Sequence, residues 1–462
     1  DAALGVALTA ATVPLWMHRS LMTECCARVE HAIARRSGVP PDPRRDMRLF
    51  LALGSALLHT PRIGSPAMIA ALARALELAE RLDDAEYRMR VLHEQYAFRL
   101  VTGAYREALA VAGRFVDAAA GTADPVDTLI GRRMVGLMLH VLGDQAGARR
   151  HVEALDRVDL ASARRAHIVR YQFDQRVVTQ SVRARIAWLE GYPAQALQDA
   201  ESAVQYAGAG DHRASLFYAL MLTACPIALH VGDTAAADRY VARFHELAAA
   251  QSLAAWATWA RCFEAVALLR RGAAATGVAL LRAALGELPP AAFHLHHASL
   301  LGELASGLGE TGKVAEGLAL IDEAIGRARR AEEGWIIPEL LRRKGDLLLQ
   351  RGEPGDDARA EACFGAALEC ATRQHALPWA LRAATSLARF WAGRGRRREA
   401  RQVLEAVRCR FTEGFDTADL QAAAALLEEL GGPPRAGRAF SCSNRRAPAR
   451  GAAIAASQYC GP

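Results

Sequence analysis

The chain has 462 residues, too many for one compact core, and its composition is 52% apolar but only 6% aromatic. Alanine and leucine make up the difference, which fits closely packed helices and excludes a β-rich core. Its net charge of +7 suggests a nucleic-acid binder, but Arg435, Arg438, Arg445, Arg446 and Arg450 lie in an acid-free stretch, residues 431–462, which leaves +2 for residues 1–430.

In chain order, residues 2–17 and 20–36 read as two helices. The first is apolar but holds Thr9, Thr12 and Pro14 and is shorter than the ~20 residues of a membrane span. No charged segment precedes it, as a signal peptide would require, so a cytoplasmic location is expected. Ser37 to Pro43 is a breaker-rich loop, and a less regular helical pair follows at roughly 44–59 and 65–82. Nine cysteines without a CxxC pair or regular spacing exclude a disulfide framework and point to a reducing compartment.

From residue 85 one frame repeats: glycine, then five residues later alanine or glycine. It occurs at Gly103/Ala108, Gly143/Ala148, Gly191/Ala196, Gly232/Ala237, Gly272/Gly277, Gly312/Gly317 and Gly395/Ala400, with a looser copy at Gly352. Successive glycines are 40, 48, 41, 40, 40, 40 and 43 residues apart. Glycine supplies the left-handed backbone that ends a helix, and the small residue lets the next helix approach closely. Each unit is a helical hairpin too small to bury its own apolar stripe, so it must stack on its neighbours. The expected fold is therefore all-α: an α-solenoid of stacked helical hairpins, tetratricopeptide-like, wound as a right-handed superhelix. Its period of about 40 residues exceeds the ~34 of the tetratricopeptide repeat. The interval of 48 carries an extra piece around Val158–Gln175. The expected organisation is an irregular helical region over 1–84, the repeat solenoid over 85–430 with a final helix near 416–430, and a disordered basic tail over 431–462.

No set of residues forms a catalytic constellation. Gly307-Leu-Gly-Glu-Thr-Gly312-Lys313-Val314 nearly matches a phosphate-binding loop. However, Val314 replaces the hydroxyl that would hold Mg²⁺, and the preceding segment reads as helix where that loop needs a strand. His294, His296 and His297 lack the convergent carboxylate or cysteine a zinc site requires and read as surface or interface histidines. Trp256 and Trp259 read as core. The chain is thus expected to be no enzyme, with no cofactor and no metal of its own.

The segment from Ala360-Glu-Ala-Cys-Phe364 through Leu377-Pro-Trp-Ala-Leu-Arg-Ala-Ala-Thr-Ser-Leu-Ala-Arg-Phe390 to Phe411-Thr-Glu-Gly-Phe-Asp-Thr-Ala-Asp-Leu420 resembles the end of large bacterial STAND-type predicted ATPases. Ser20-Leu-Met-Thr-Glu-Cys25, Leu139-His-Val-Leu-Gly-Asp-Gln-Ala146, Gln172-Phe-Asp-Gln-Arg-Val177 and Ala224-Cys-Pro-Ile-Ala228 resemble the same arm and lean toward the transcription-regulating branch. The resemblance covers about residues 1–430. It implies an arm that binds a protein, a peptide or an effector ligand on its concave surface and reports to upstream ATPase and DNA-binding modules. It implies no membrane contact and no direct nucleic-acid binding by the folded arm. No nucleotide-binding residue of the family has a counterpart here. The alternatives are a free-standing tetratricopeptide adaptor and the arm of a nucleotide cyclase.

Overall fold

A computed structural model describes residues 1–19, 21–122, 124–153, 164–210, 212–251, 254–288 and 294–431. Among them the regular structure is helical, without strands. The expected tail, apart from Gly431, and the first part of the extra piece, residues 158–163, lie outside this set.

The chain is a tetratricopeptide-like α-solenoid. Two hairpins, Ala2–His18 with Met22–Arg35 and Pro43–Leu57 with Pro66–Arg81, precede the regular repeat. Eight hairpins follow, each named here by its turn glycine. They pair Ala85–Thr102 with Tyr105–Ala119 (Gly103), Pro125–Leu142 with Gln145–Val152 (Gly143), and Gln175–Glu190 with Pro193–Gly208 (Gly191). Next come Arg213–Val231 with Thr234–Gln251 (Gly232) and Ala254–Arg270 with Ala274–Glu287 (Gly272). The last three pair His297–Glu310 with Val314–Arg330 (Gly312), Ile337–Arg351 with Asp356–Arg373 (Gly352), and Leu377–Ala392 with Arg397–Arg408 (Gly395). The helix Ala418–Glu429 ends the stack.

The turn works as the frame requires. All eight glycines sit at φ between 68° and 95°. In most of the units the next residue donates back into the finished helix, for example Ala104 N to the Arg99 carbonyl and Tyr192 N to the Ala187 carbonyl, both at 2.9 Å. Such bonds satisfy carbonyls that the helix end would leave bare. Ala108, Ala148, Ala196, Ala237 and Ala400 are all fully buried or nearly so, and Gly277 and Gly317 take that place in their units. A Cβ on Gly317 would meet the Ala305 carbonyl at 2.8 Å, so backbone fills the room a side chain would need. Four links between hairpins use the same left-handed backbone without glycine, at Asp83, Gln172, Glu332 and His375.

The helix Arg213–Val231 is long and apolar enough to cross a membrane, but 89% of its apolar window is buried. It is a core helix of the solenoid, and it carries a π-turn at Leu220–Ala224 just ahead of Pro226.

The solenoid also closes on itself. The Gly143 turn lies against Gln374, whose Nε2 donates to the Gly334 carbonyl at 2.9 Å. The Gly191 turn lies against Leu377, and the Gly232 turn against Ala418. Glu413 accepts from the Ala194 backbone N at 2.8 Å, and Arg106 pairs with Glu332. Each of these turns therefore meets the unit five places further on. Five helices at the usual spacing of about 8–10 Å place their axes on a circle of radius roughly 7–8.5 Å. Side chains reaching about 5–6 Å from each axis fill most of that circle. The inner face is consequently packed with the protein's own residues, and inner helices such as Gln175–Glu190 are buried on nearly every side.

Candidate functional site

The axis of the superhelix collects the rings that were scattered in the sequence. Trp188 ends one inner helix and stacks on His230 at 4.5 Å between centroids, and it meets Trp379 edge-on at 4.7 Å. Trp335 lies 6.3 Å from Trp379 and stacks on His140 at 5.8 Å. Five units thus contribute to one aromatic group, with Trp335 and Trp379 arriving from the second turn of the superhelix.

Arg185 lies in the middle of this group, 5% exposed, with its guanidinium 5.2 Å from the centre of the Trp335 ring. Its Nη1 donates to the Leu222 carbonyl at 3.1 Å. Local sequence explains that bond: Leu222 is four residues before Pro226, which has no N–H to offer it, so the carbonyl is free for a side chain. The Nε and Nη2 of Arg185 have no hydrogen-bond partner, and no carboxylate among the described residues pairs with it. Burial pulls the guanidinium down to about 10. Burial, and then the Arg185 charge, pull His140 down to about 3 and hold His296 well below the usual histidine range. Both rings are neutral, and Nε2 of each is buried without a partner, as is the Tyr105 hydroxyl. Glu333 is the nearest acid in effect. Burial raises it to about 8, and its Oε1 accepts from Trp335 Nε1 at 2.9 Å.

The arginines around Glu303 and Glu339 differ from Arg185, whereas Arg133, also buried without an acid partner among the described residues, donates to Gln175 Oε1. Arg343 donates to Glu303 at 2.6 Å and to Glu339 at 2.9 Å. Arg270 also reaches Glu303, at 2.7 Å, and Arg382 pairs with Asp419 at 2.7 Å while donating to the His230 carbonyl at 2.7 Å. Burial alone would raise Glu339, but Arg342, Arg343 and Arg382 hold it well below the carboxylate range. These buried charges are paired, as burial demands. Arg185 is not.

The sequence-derived positions fall as follows. The turn glycines and their small partners build the hairpins and line no site. Gly312 and Lys313 form a turn between two helices, with Gly307 inside the first, so no phosphate loop exists there. His296 is corrected from surface to interior: it is 3% exposed, packed near Trp259 and Phe263, because the inner circle closes over it. Trp259 is buried, and Trp256 stacks on Phe217 at 4.4 Å. No cluster of histidine, cysteine, aspartate and glutamate among the described residues could hold a metal ion. The axial group itself was not anticipated. The only local hint was an arginine and a tryptophan three residues apart on an otherwise apolar inner helix, Arg185 and Trp188.

No family model matches the chain, and no curated protein does. Among solved structures it is similar to a Rap protein complexed with Competence and Sporulation Factor, at 10% identity and TM-score 0.45, covering 93% of this chain and 99% of that one. It is also similar to yeast Tom70, at 13% identity and TM-score 0.35, covering 93% and 89%. At these values neither likeness carries a function to this chain.

Proposed function

We propose that the chain is the sensor and interaction arm of a bacterial signal-transduction ATPase that regulates transcription, and that its effector or protein partner presents an anionic group to the superhelix axis. The observation that supports this is Arg185. A scaffold needs aliphatic packing on its axis, whereas an unpaired guanidinium buried among unpaired ring nitrogens and a hydroxyl weakens the empty state. An anion there would satisfy Nε and Nη2 together. The arrangement joins the first turn of the superhelix to the second, so such binding would be felt by units far apart in sequence. The sequence resemblance to the signalling arm supports the ATPase context.

Two experiments test the two parts. Thermal unfolding of the whole chain is measured with phosphate, citrate and acidic peptides, alongside Arg185→Met. The expected result is anion-dependent stabilisation of the wild type that the variant loses. No response to any anion, together with a less stable variant, would give Arg185 a purely structural role. For the modular part, a reading frame upstream of Asp1 that encodes a P-loop and a winged helix is expected. A cyclase domain, or neither module, would favour the alternatives.

A further inference from the structure

A separate cavity of about 190 Å³ lies where the first hairpins meet the regular repeat. For scale, an apolar cavity of about 150 Å³ holds benzene, so this one suits a single small molecule. Its lining carries both signs of charge. Arg90 and Arg170 supply one wall; the Nε of each is buried without a hydrogen-bond partner, and Glu86 lies 3.7 Å from Arg90 Nη1 and 3.9 Å from Arg170 Nε. The other nitrogens of Arg170 are already committed to Asp124 at 3.2 Å and Asp127 at 2.9 Å, which fixes the plane of the guanidinium. Arg48, exposed at the rim, has no ion-pair partner among the described residues.

Acceptors occupy another wall. Glu94 is 2% exposed; its Oε2 accepts from Gln172 Nε2 at 2.7 Å, while its Oε1 lies 3.9 Å from His93 Nδ1 and accepts no hydrogen bond among the described residues. Gln172 holds this position from a left-handed backbone, φ 65°, which a residue with a side chain adopts only under constraint. Its Oε1 is anchored to His59. Ala10 and Pro14 also line the cavity, and Pro14 has no N–H to give the Ala10 carbonyl, so that oxygen lacks its helical donor. Val13, Met17 and Leu51 complete an apolar side.

We propose that this cavity binds a small zwitterion, an α-amino acid. Its carboxylate would take the Arg90 and Arg170 donors, its ammonium the Glu94 carboxylate and the Ala10 carbonyl, and its side chain the Val13–Met17–Leu51 side. A simple anion would meet the Glu94 charge and a simple amine the arginines; only a ligand with both groups on neighbouring atoms satisfies both walls. The site lies apart from Arg185 and does not rest on the axial reading.

Calorimetry on the whole chain tests it with L-glutamate, L-leucine, glutarate (no ammonium) and isoamylamine (no carboxylate). At least one amino acid should bind, and at least about tenfold more tightly than its counterpart lacking one group. Glu94→Gln should bring glutamate down to glutarate, and Arg90→Gln should bring leucine down to isoamylamine. Arg185→Met should leave amino-acid binding unchanged. Binding of neither amino acid, equal affinity for an amino acid that binds and its counterpart, or loss of binding in Arg185→Met would overturn the proposal. If Glu94→Gln fails to fold, the four ligands on the wild type still decide.

Discussion

The contact between turns can be isolated with one methyl group. Gly191 and Gly272 have the same task, ending an inner helix with φ of 94° and 79°. Alanine at either position must adopt the left-handed backbone, at about 1–2 kcal/mol. Any gain from a stiffer unfolded chain is common to both and cancels in the comparison. The surroundings differ. A Cβ on Gly272 meets nothing within 4 Å, whereas one on Gly191 would lie 2.6 Å from Leu377 Cδ2 and 3.3 Å from its Cγ. Leu377 is buried in the unit five places on and has little room to turn away. That overlap should add about 1–3 kcal/mol. Urea unfolding should thus place Gly191→Ala about 1–3 kcal/mol below Gly272→Ala. Hydrogen exchange should rise in Leu377–Ala392 for the first variant only. Adding Leu377→Ala should relieve the clash, giving a favourable coupling of about 1 kcal/mol or more in a double-mutant cycle. Equal losses for the two alanines, with exchange confined to the mutated hairpin, would refute closure of the superhelix.

Two further outcomes are expected. Ala196 is fully buried and Gln198 exposed, so Ala196→Leu should cost about 1–3 kcal/mol by overpacking while Gln198→Ala stays within about 0.5 kcal/mol, both read from urea midpoints. Glu333 is raised by burial to about 8 from 4.5, so the folded state binds its proton more tightly than the unfolded chain; the stability this gives is complete below pH 4.5 and lost as pH rises toward 8. Glu333→Gln should flatten that decline in unfolding measured across this window. It would not abolish it, because Glu190, raised to about 7 by burial, slopes the same way.

The hairpins were legible because their cause is local: a glycine at a helix end and a small residue five positions on. The irregular N-terminal helices were legible to within about two residues, read as 44–59 and 65–82 where the structure has Pro43–Leu57 and Pro66–Arg81; the caps Asp42 and Ser65 that fix their starts were not read from the sequence. The closure was not. Trp188 and Trp379 are 191 residues apart (379−188), and no periodicity within a repeat of 40 reports such a contact. The left-handed residues Glu332 and His375 escaped because nothing in their side chains demands that backbone; the packed loop imposes it. Arg185 looked like one arginine among many until its neighbours were seen to have acids and it did not. For the cavity, the one visible sign was the long interval before Gly191, whose Tyr171-Gln172 end reaches the inner face. Its partner residues on three other helices could not be brought together by pattern alone.

Closure in steps of five also sets a timetable for synthesis. The Gln175–Glu190 helix leaves the ribosome long before Leu377–Ala392, the helix that covers its inner end. With 191 residues between Trp188 and Trp379, and translation at about 5–20 residues per second, that interval lasts roughly 10–40 s. During it, the first turn of the superhelix holds Trp188, His230 and the Arg185 guanidinium open to solvent and to any chaperone or neighbouring nascent chain. A protein whose hairpins can each form early must therefore wait for its last third before its centre is sealed. Chains truncated before about residue 377 should be sticky in proportion to the aromatic surface they leave uncovered.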